Sequence, residues 1–282
     1  MSNFVIPADK TLMIDVSHYR KVDYSLLPRE VEIVIVKATE GTWYRDDRLE
    51  EHADGVLESG RVLGFFHFHR TLVGGKLIDP VSQAEFYIEN TKQYGDDISI
   101  DAWDFENPFH YNGDPKRPYN PCVGNEQLAL KKALTRLKDE RDKFSLLYTS
   151  KGSWDHFKMV NITNGWGGPT WMRNGAEGLI DGVWEARYGG PPLGIKPFAK
   201  HWAHQFTDRM EIPGVFDGND KPIGVDGNIV DYHPDDVIPM LRGFARPVKG
   251  PDDPDEGKDW FMKGFEAGRE SERERILACI NN

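Results

Sequence analysis

The sequence predicts an α/β protein, a (β/α)8-type barrel with few or short helices in its C-terminal half and a helical tail at its C-terminus. Two observations carry that expectation. Eight β-rich segments lie between residues 11 and 230; the first five alternate with helical stretches, and the last three follow with little helical sequence between them. The runs are also short and densely apolar, as strands covered on both faces are. Four strand–helix repeats alone allow either a barrel or a doubly wound sheet with right-handed crossovers. Eight strands point to closure, with the chemistry in loops at the strands' carboxyl ends.

Thr11-Leu12-Met13-Ile14-Asp15-Val16 reads as a buried strand delivering Asp15 near its end, followed by Ser17-His18-Tyr19 in a loop. Val31 to Lys37 is a near-continuous β-branched run leading into Ala38-Thr39-Glu40-Gly41. A helical stretch from Asp47 to Ser59 stops at Gly60, and Val62 to His69 is an aromatic-rich third strand. Pro80 to Tyr94 has helical spacing and feeds a fourth strand, Ile98 to Glu106. Asn125 to Lys138 reads as helix and Phe144 to Thr149 as the fifth strand. Leu179 to Tyr188, His201 to Thr207 and Ile223 to Val230 complete the eight. Two long loops, 107–122 and 161–177, interrupt the pattern. The second carries Trp166, Trp171 and Arg173, suited either to stacking on sugar rings or to pinning the loop on the core.

Lys and Arg number 35 against 46 Asp and Glu, a net charge of −11. That balance repels phosphate and argues against nucleic acid as a partner. It also disfavours an acidic wall polymer unless local aromatic and hydrogen-bonding contacts hold it. No apolar run of about 18 residues is present, so membrane insertion is not expected. Cys122 and Cys279 match no disulfide framework, redox motif or zinc spacing. The first ten residues lack a basic region followed by an apolar segment, so no secretory signal is expected.

The most informative stretch is Ile98 to Glu106, which ends in Asp104 and Glu106 with Phe105 between them. Alternation along a strand points both carboxylates to one face, about 7 Å apart along the backbone. Acids so close disfavour joint ionisation, which holds one protonated while the other stays charged, as glycosidic cleavage requires. The competing reading is a strand end whose acids cap a helix or pair with an arginine. A closed barrel would gather Asp15, Glu40, His67, Asp104, Glu106, Gln205 and Asp226 at one mouth.

Taken together, Ile14-Asp15-Val16-Ser17, Lys37-Ala38-Thr39-Glu40-Gly41, Phe65-Phe66-His67-Phe68, Asp104-Phe105-Glu106, Tyr148-Thr149-Ser150, Trp184 with Ala186 and Tyr188, Trp202 with Gln205, and Val225-Asp226-Gly227-Asn228 form an ordered set. Over about residues 11 to 240 the chain resembles the family 25 glycoside hydrolases, the Chalaropsis-type muramidases. The resemblance implies a modified β/α barrel that hydrolyses the β-1,4 bond between N-acetylmuramic acid and N-acetylglucosamine in peptidoglycan, without metal or cofactor. It makes Glu106 the general acid, Asp104 its partner carboxylate, and Asp15 and Asp226 acids of the same cleft. It further implies retention of configuration, with the substrate's 2-acetamido oxygen as internal nucleophile. Substrate-binding positions by the same resemblance are Glu40, Phe66, His67, Tyr148, Trp184, Tyr188, Trp202 and Gln205. For Glu40 a purely structural acid, for His67 a hydrogen-bonded core residue, and for both tryptophans packing at the barrel mouth are the alternatives. Phe66 stands where the family usually has tyrosine, and Glu185 where it has an apolar residue.

The expected organisation is a catalytic barrel over 1–246, an acidic linker over 247–258 and a helix over 259–282, where Trp260, Phe261 and Phe265 form an apolar stripe. That helix either docks on the barrel or mediates self-association or wall attachment. The sequence-level expectation is a phage endolysin made in the host cytoplasm and acting at the cell wall. The alternative is a non-catalytic wall-glycan-binding or virion structural protein on the same barrel.

Overall fold

The computed structural model describes residues 6–73, 76–106, 125–156, 178–195, 198 and 201–245. Eight strands close a barrel: β1 (Thr11–Val16), β2 (Val31–Glu40), β3 (Val62–Phe68), β4 (Ile98–Asp104), β5 (Phe144–Ser150), β6 (Gly182–Ala186), β7 (Ala203–Met210) and β8 (Val225–Val230). From β1 to β7 each strand pairs in parallel with the next. β8 is reversed: it lies antiparallel to both β7 and β1 and closes the ring between them.

Alternation along each strand sorts residues into two cores. Met13, Ile33, Ile35, Ile100, Ala102, Leu146, Trp184 and Val230 fill the barrel. Ile14, Val34, Val36, Phe65, Trp103 and Leu147 face outward, onto α1 (Leu49–Glu58), α2 (Pro80–Thr91) and α3 (Asn125–Glu140). Asp79 caps α2 by accepting from Ser82 N–H at 2.9 Å, with Pro80 in the first turn. After β5 the described residues hold only a short helix, α4 (Lys151–His156), until α5 (Pro234–Phe244) follows β8. Val237, Ile238 and Leu241 of α5 join the interior cluster and plug the barrel's floor. The expected thinning of helices in the C-terminal half is therefore present. No helix among the described residues is long and apolar enough to cross a membrane.

Two boundaries differ from the sequence expectation. β2 continues through Glu40, so the turn begins only at Gly41, where φ is +56°. Pairing of Thr39 and Glu40 with Arg45 and Tyr44 in a short hairpin extends the strand. β4 stops at Asp104, leaving Glu106 beyond the ladder. The loops 107–122 and 161–177, both cysteines, the linker over 247–258 and the helix over 259–282 lie outside the described residues.

Candidate active site

On several strands the inward row ends at the mouth in a polar side chain, whereas β3 presents Phe66 and β6 Ala186. Met13 is followed by Asp15 on β1, Ile33 and Ile35 by Lys37 on β2, Ile100 and Ala102 by Asp104 on β4, and Leu146 by Tyr148 on β5. β7 contributes Gln205. Asp226 arrives differently: it sits at the amino end of β8, directly opposite Asp15 in the antiparallel register. Reversal of that one strand brings its start to the mouth where the others finish.

Asp15 is held by a chain of hydrogen bonds whose polarity is fixed from the barrel interior. The indole N–H of Trp184 donates to Asn228 Oδ1 at 2.7 Å, and an indole can only donate. Asn228 must therefore turn its amide N–H2 toward Asp15 Oδ2, at 2.8 Å. Gln205 donates to the same oxygen at 3.0 Å, while its own carbonyl accepts the hydroxyls of Tyr148 and Tyr188, each at 2.8 Å. Burial and the charge of Asp226 push the Asp15 carboxyl well above its usual range, against the two amide donors. Burial, with Asp208 adding to it, raises Asp226 to about 6 despite the opposing Arg20 guanidinium.

Asp104 is buried, and among the described residues its Oδ1 has no hydrogen-bond partner. Burial raises its carboxyl well above the usual range, as does the neighbouring Glu106. Lys37 and Arg70 act in the opposite direction. Both cations are fixed by Glu40, which accepts from Lys37 Nζ at 2.7 Å and from Arg70 at 2.5 and 2.9 Å. Burial alone would raise the Glu40 carboxyl, but the two cations outweigh it and hold it low. Glu40 is thus committed to an ion-pair cluster. Glu106 borders a cleft of about 200 Å³ that is also lined by Tyr148, Ser150, Ser153, Arg187 and Tyr188.

The mouth therefore brings together Asp15, Glu40, Phe66, Asp104, Glu106, Tyr148, Tyr188, Gln205 and Asp226. Three expected members stand elsewhere. His67 alternates with Phe66 and Phe68 and so lies on the outer face, fully buried. There it meets Thr39 Oγ1 at 2.8 Å and Gln83 at 3.2 Å and stacks on Trp103 at 4.3 Å. Desolvation lowers its imidazole to about 3, so it is neutral. Trp184 is buried inside the barrel beneath Asp15. Trp202 lies before β7 begins, at the floor, packed on Phe144 at 5.0 Å. These three expose no ring face to the mouth. Gln205 is also buried, its amide nitrogen donating to Asp15 and its oxygen accepting from Tyr148 and Tyr188.

Arg70 was not singled out in the sequence, and Lys37 and Asn228 stood in the quoted motifs without an assigned role. A lysine continuing the apolar row Ile33, Ile35 was a usable signal, because a cation on an inward strand row needs a carboxylate partner. Arg70 and Asn228 reach their partners on the neighbouring strand, Glu40 at the end of β2 and Asp15 on β1, through pairings that join segments distant in sequence. Among the described residues no group of three or more His, Cys, Asp or Glu is arranged to hold a metal ion.

The family model "Glycosyl hydrolases family 25" matches residues 14–215. A 67-residue stretch is 36% identical to the autolytic lysozyme of Clostridium acetobutylicum, covering 23% of this chain and 19% of that protein. The match thus spans about a fifth of that curated relative. Among solved structures, a bacterial lysozyme from Streptomyces coelicolor superposes with TM-score 0.64 at 18% identity, over 84% of this chain and all (100%) of the other. The endolysin catalytic domain from bacteriophage P40 of Listeria monocytogenes does so at 0.57 and 22%, over 84% and 100%. A family 25 lysozyme from Aspergillus fumigatus gives 0.61 and 18% over the same shares, 84% and 100%. At these identities the structural likeness is one of fold.

Proposed function

The chain belongs to glycosyl hydrolases family 25, and from that premise we propose that it is a peptidoglycan hydrolase, an N-acetylmuramidase cleaving the β-1,4 bond between N-acetylmuramic acid and N-acetylglucosamine. The observation that carries this reading is the gathering at one mouth of the buried Asp104, the cleft-lining Glu106 and Asp15, with Lys37 and Arg70 fixed by Glu40 beside them. Burial, and after it Glu106, raises Asp104, while the two cations favour its charged form. Two acids so close disfavour joint ionisation, the condition under which one can serve as proton donor.

In this reading Glu106 keeps the proton and gives it to the leaving glycosidic oxygen as that bond breaks. Lys37 and Arg70 favour the ionised form of Asp104, which accepts the N–H of the sugar's 2-acetamido group. The acetamido oxygen then attacks the anomeric carbon. Water, deprotonated by Glu106, opens the cyclic intermediate, and configuration is retained. Asp15 and Asp226 oppose the positive charge that develops on the ring.

The deciding experiment compares new reducing ends released from purified peptidoglycan by the wild type and by Glu106→Gln, both shown to be folded. Release by the wild type and its loss in the variant is the expected result. Equal release by both proteins eliminates Glu106 as the acid. Binding without release by the wild type favours the rival, a wall-glycan-binding or virion protein that keeps the barrel.

The setting we propose is phage-mediated lysis of a bacterial host, with peptidoglycan as the partner. We likewise propose the division into a catalytic barrel over 1–246, a linker over 247–258 and a self-associating segment over 259–282. Unchanged mass in solution after removal of residues from 250 onward would sink the self-association.

A further inference from the structure

The net charge of −11 gives an acidic wall polymer no long-range attraction, so neutral contacts must hold the strand. The rim of the barrel offers a set with no role in the chemistry above. Tyr19 is 60% exposed and Trp43 51% exposed. They follow the carboxyl ends of the neighbouring strands β1 and β2, which pair in parallel through Val16↔Val36.

Both rings are held from behind. The Trp43 ring lies on Gly41, where a β-carbon would come within 2.3 Å of Cζ3, and Gly41 turns the hairpin in the left-handed region. The Tyr19 ring leans on the His18 imidazole, tilted by 41° with centroids 3.9 Å apart. Asp46, fully buried, fixes His18 through its backbone N–H at 3.1 Å and its Nδ1 at 2.8 Å. The Tyr44 hydroxyl lies 2.9 Å from the same nitrogen. The chain neighbours of the two rings, Tyr44 and Arg20, reach toward the site. The Lys37 ammonium is 5.6 Å from the Tyr44 ring centre, and Arg20 donates to the carbonyl of Gly224, two residues before Asp226, at 2.7 Å.

A β-1,4-linked N-acetylhexosamine strand is polar at its edges and presents C–H groups on its ring faces. Flat aromatic rings already fixed in place take such faces with little loss of side-chain freedom. We infer that Trp43 and Tyr19 form a glycan shelf, each stacking on one sugar ring of the substrate strand beyond the two sugars whose bond is cut. The inference rests on the muramidase reading and adds a subsite that makes affinity grow with strand length.

The test uses the full chain carrying Glu106→Gln, so that ligand is not consumed, titrated calorimetrically with soluble peptidoglycan glycan fragments from the disaccharide upward. Affinity of this parent is expected to climb with length. Adding Trp43→Ala lowers affinity for the longest fragments by roughly tenfold, leaves that for the disaccharide in place, and Trp43→Phe restores most of the loss. If Trp43→Ala and Tyr19→Ala keep the parent's melting temperature and bind every length as the parent does, the shelf is overturned. A parent that binds no fragment, together with a wild type that releases no reducing ends, removes the muramidase reading and the shelf with it.

Discussion

Asn228 donates its side-chain amide to Asp15 Oδ2 at 2.8 Å, across the antiparallel pairing of β8 with β1. The direction of that bond is dictated by Trp184, which claims the other end of the amide. Asn228→Ala leaves a buried indole N–H and one lone pair of Asp15 without partners. The expected cost is roughly 1–3 kcal/mol of stability. Loss of a fixed Asp15 should also reduce reducing-end release by about 10²-fold. Thermal melts and a release assay check both.

Glu106→Gln and Asp104→Asn should separate activity from stability. Loss of the proton donor is expected to cost about 10²–10⁴ in rate. Folding raises the Asp104 pKa, so this group's contribution is fully present below its unfolded value and is lost as pH rises through the folded one. At neutral pH Asp104→Asn removes that penalty and should melt higher than the wild type while losing activity. A lower melting temperature contradicts the proposed electrostatics.

Asp226 sets a pH window. Its carboxyl is raised to about 6, so its share of stability is present at acid pH and disappears as pH climbs from about 4 through 6. Asp226→Asn should gain roughly 1–3 kcal/mol over the wild type at pH above about 7. The gain should vanish toward pH about 4. Denaturant unfolding across that range measures it, and a gain that persists in acid refutes the assignment.

Glu185 is fully buried on the outer face of β6, where its two oxygens accept the backbone N–H groups of Leu193 and Gly194 at 2.7 and 2.9 Å. It thereby ties down the segment that carries Tyr188, whose hydroxyl reaches Gln205. Glu185→Leu orphans both N–H groups and should cost roughly 1–3 kcal/mol. Proteolytic nicking at 187–195 and a raised KM on peptidoglycan are the expected readouts. An unchanged cleavage pattern and KM argue against the tether.

Gly41→Ala tests the hairpin beside the mouth. Its positive φ and the Trp43 ring above it leave no room for a methyl group. A loss of about 1–3 kcal/mol is expected, with a shift in tryptophan fluorescence as the Trp43 ring is displaced. Wild-type melting and emission would show that the ring does not rest on Gly41.

Strand periodicity and composition determined the eight strands, their order and the C-terminal thinning of helices, because burial on two faces writes a readable pattern into each short segment. Asp15, Asp104 and Glu106 were legible for the same reason: each ends or follows an apolar run whose direction is known. Whether a strand runs up or down the barrel is not written in its own residues. Only the tertiary structure decided that β8 is reversed and that Asp226 comes to face Asp15 from a strand's beginning. One-residue alternation, and not proximity in sequence, sent His67 to the outer face and kept Phe66 inside. The floor position of Trp202, the pairing of Arg70 with Glu40, and the Trp184–Asn228–Asp15 relay depend on contacts between segments apart in sequence. Such contacts exist only once the barrel has closed, so no local pattern could carry them.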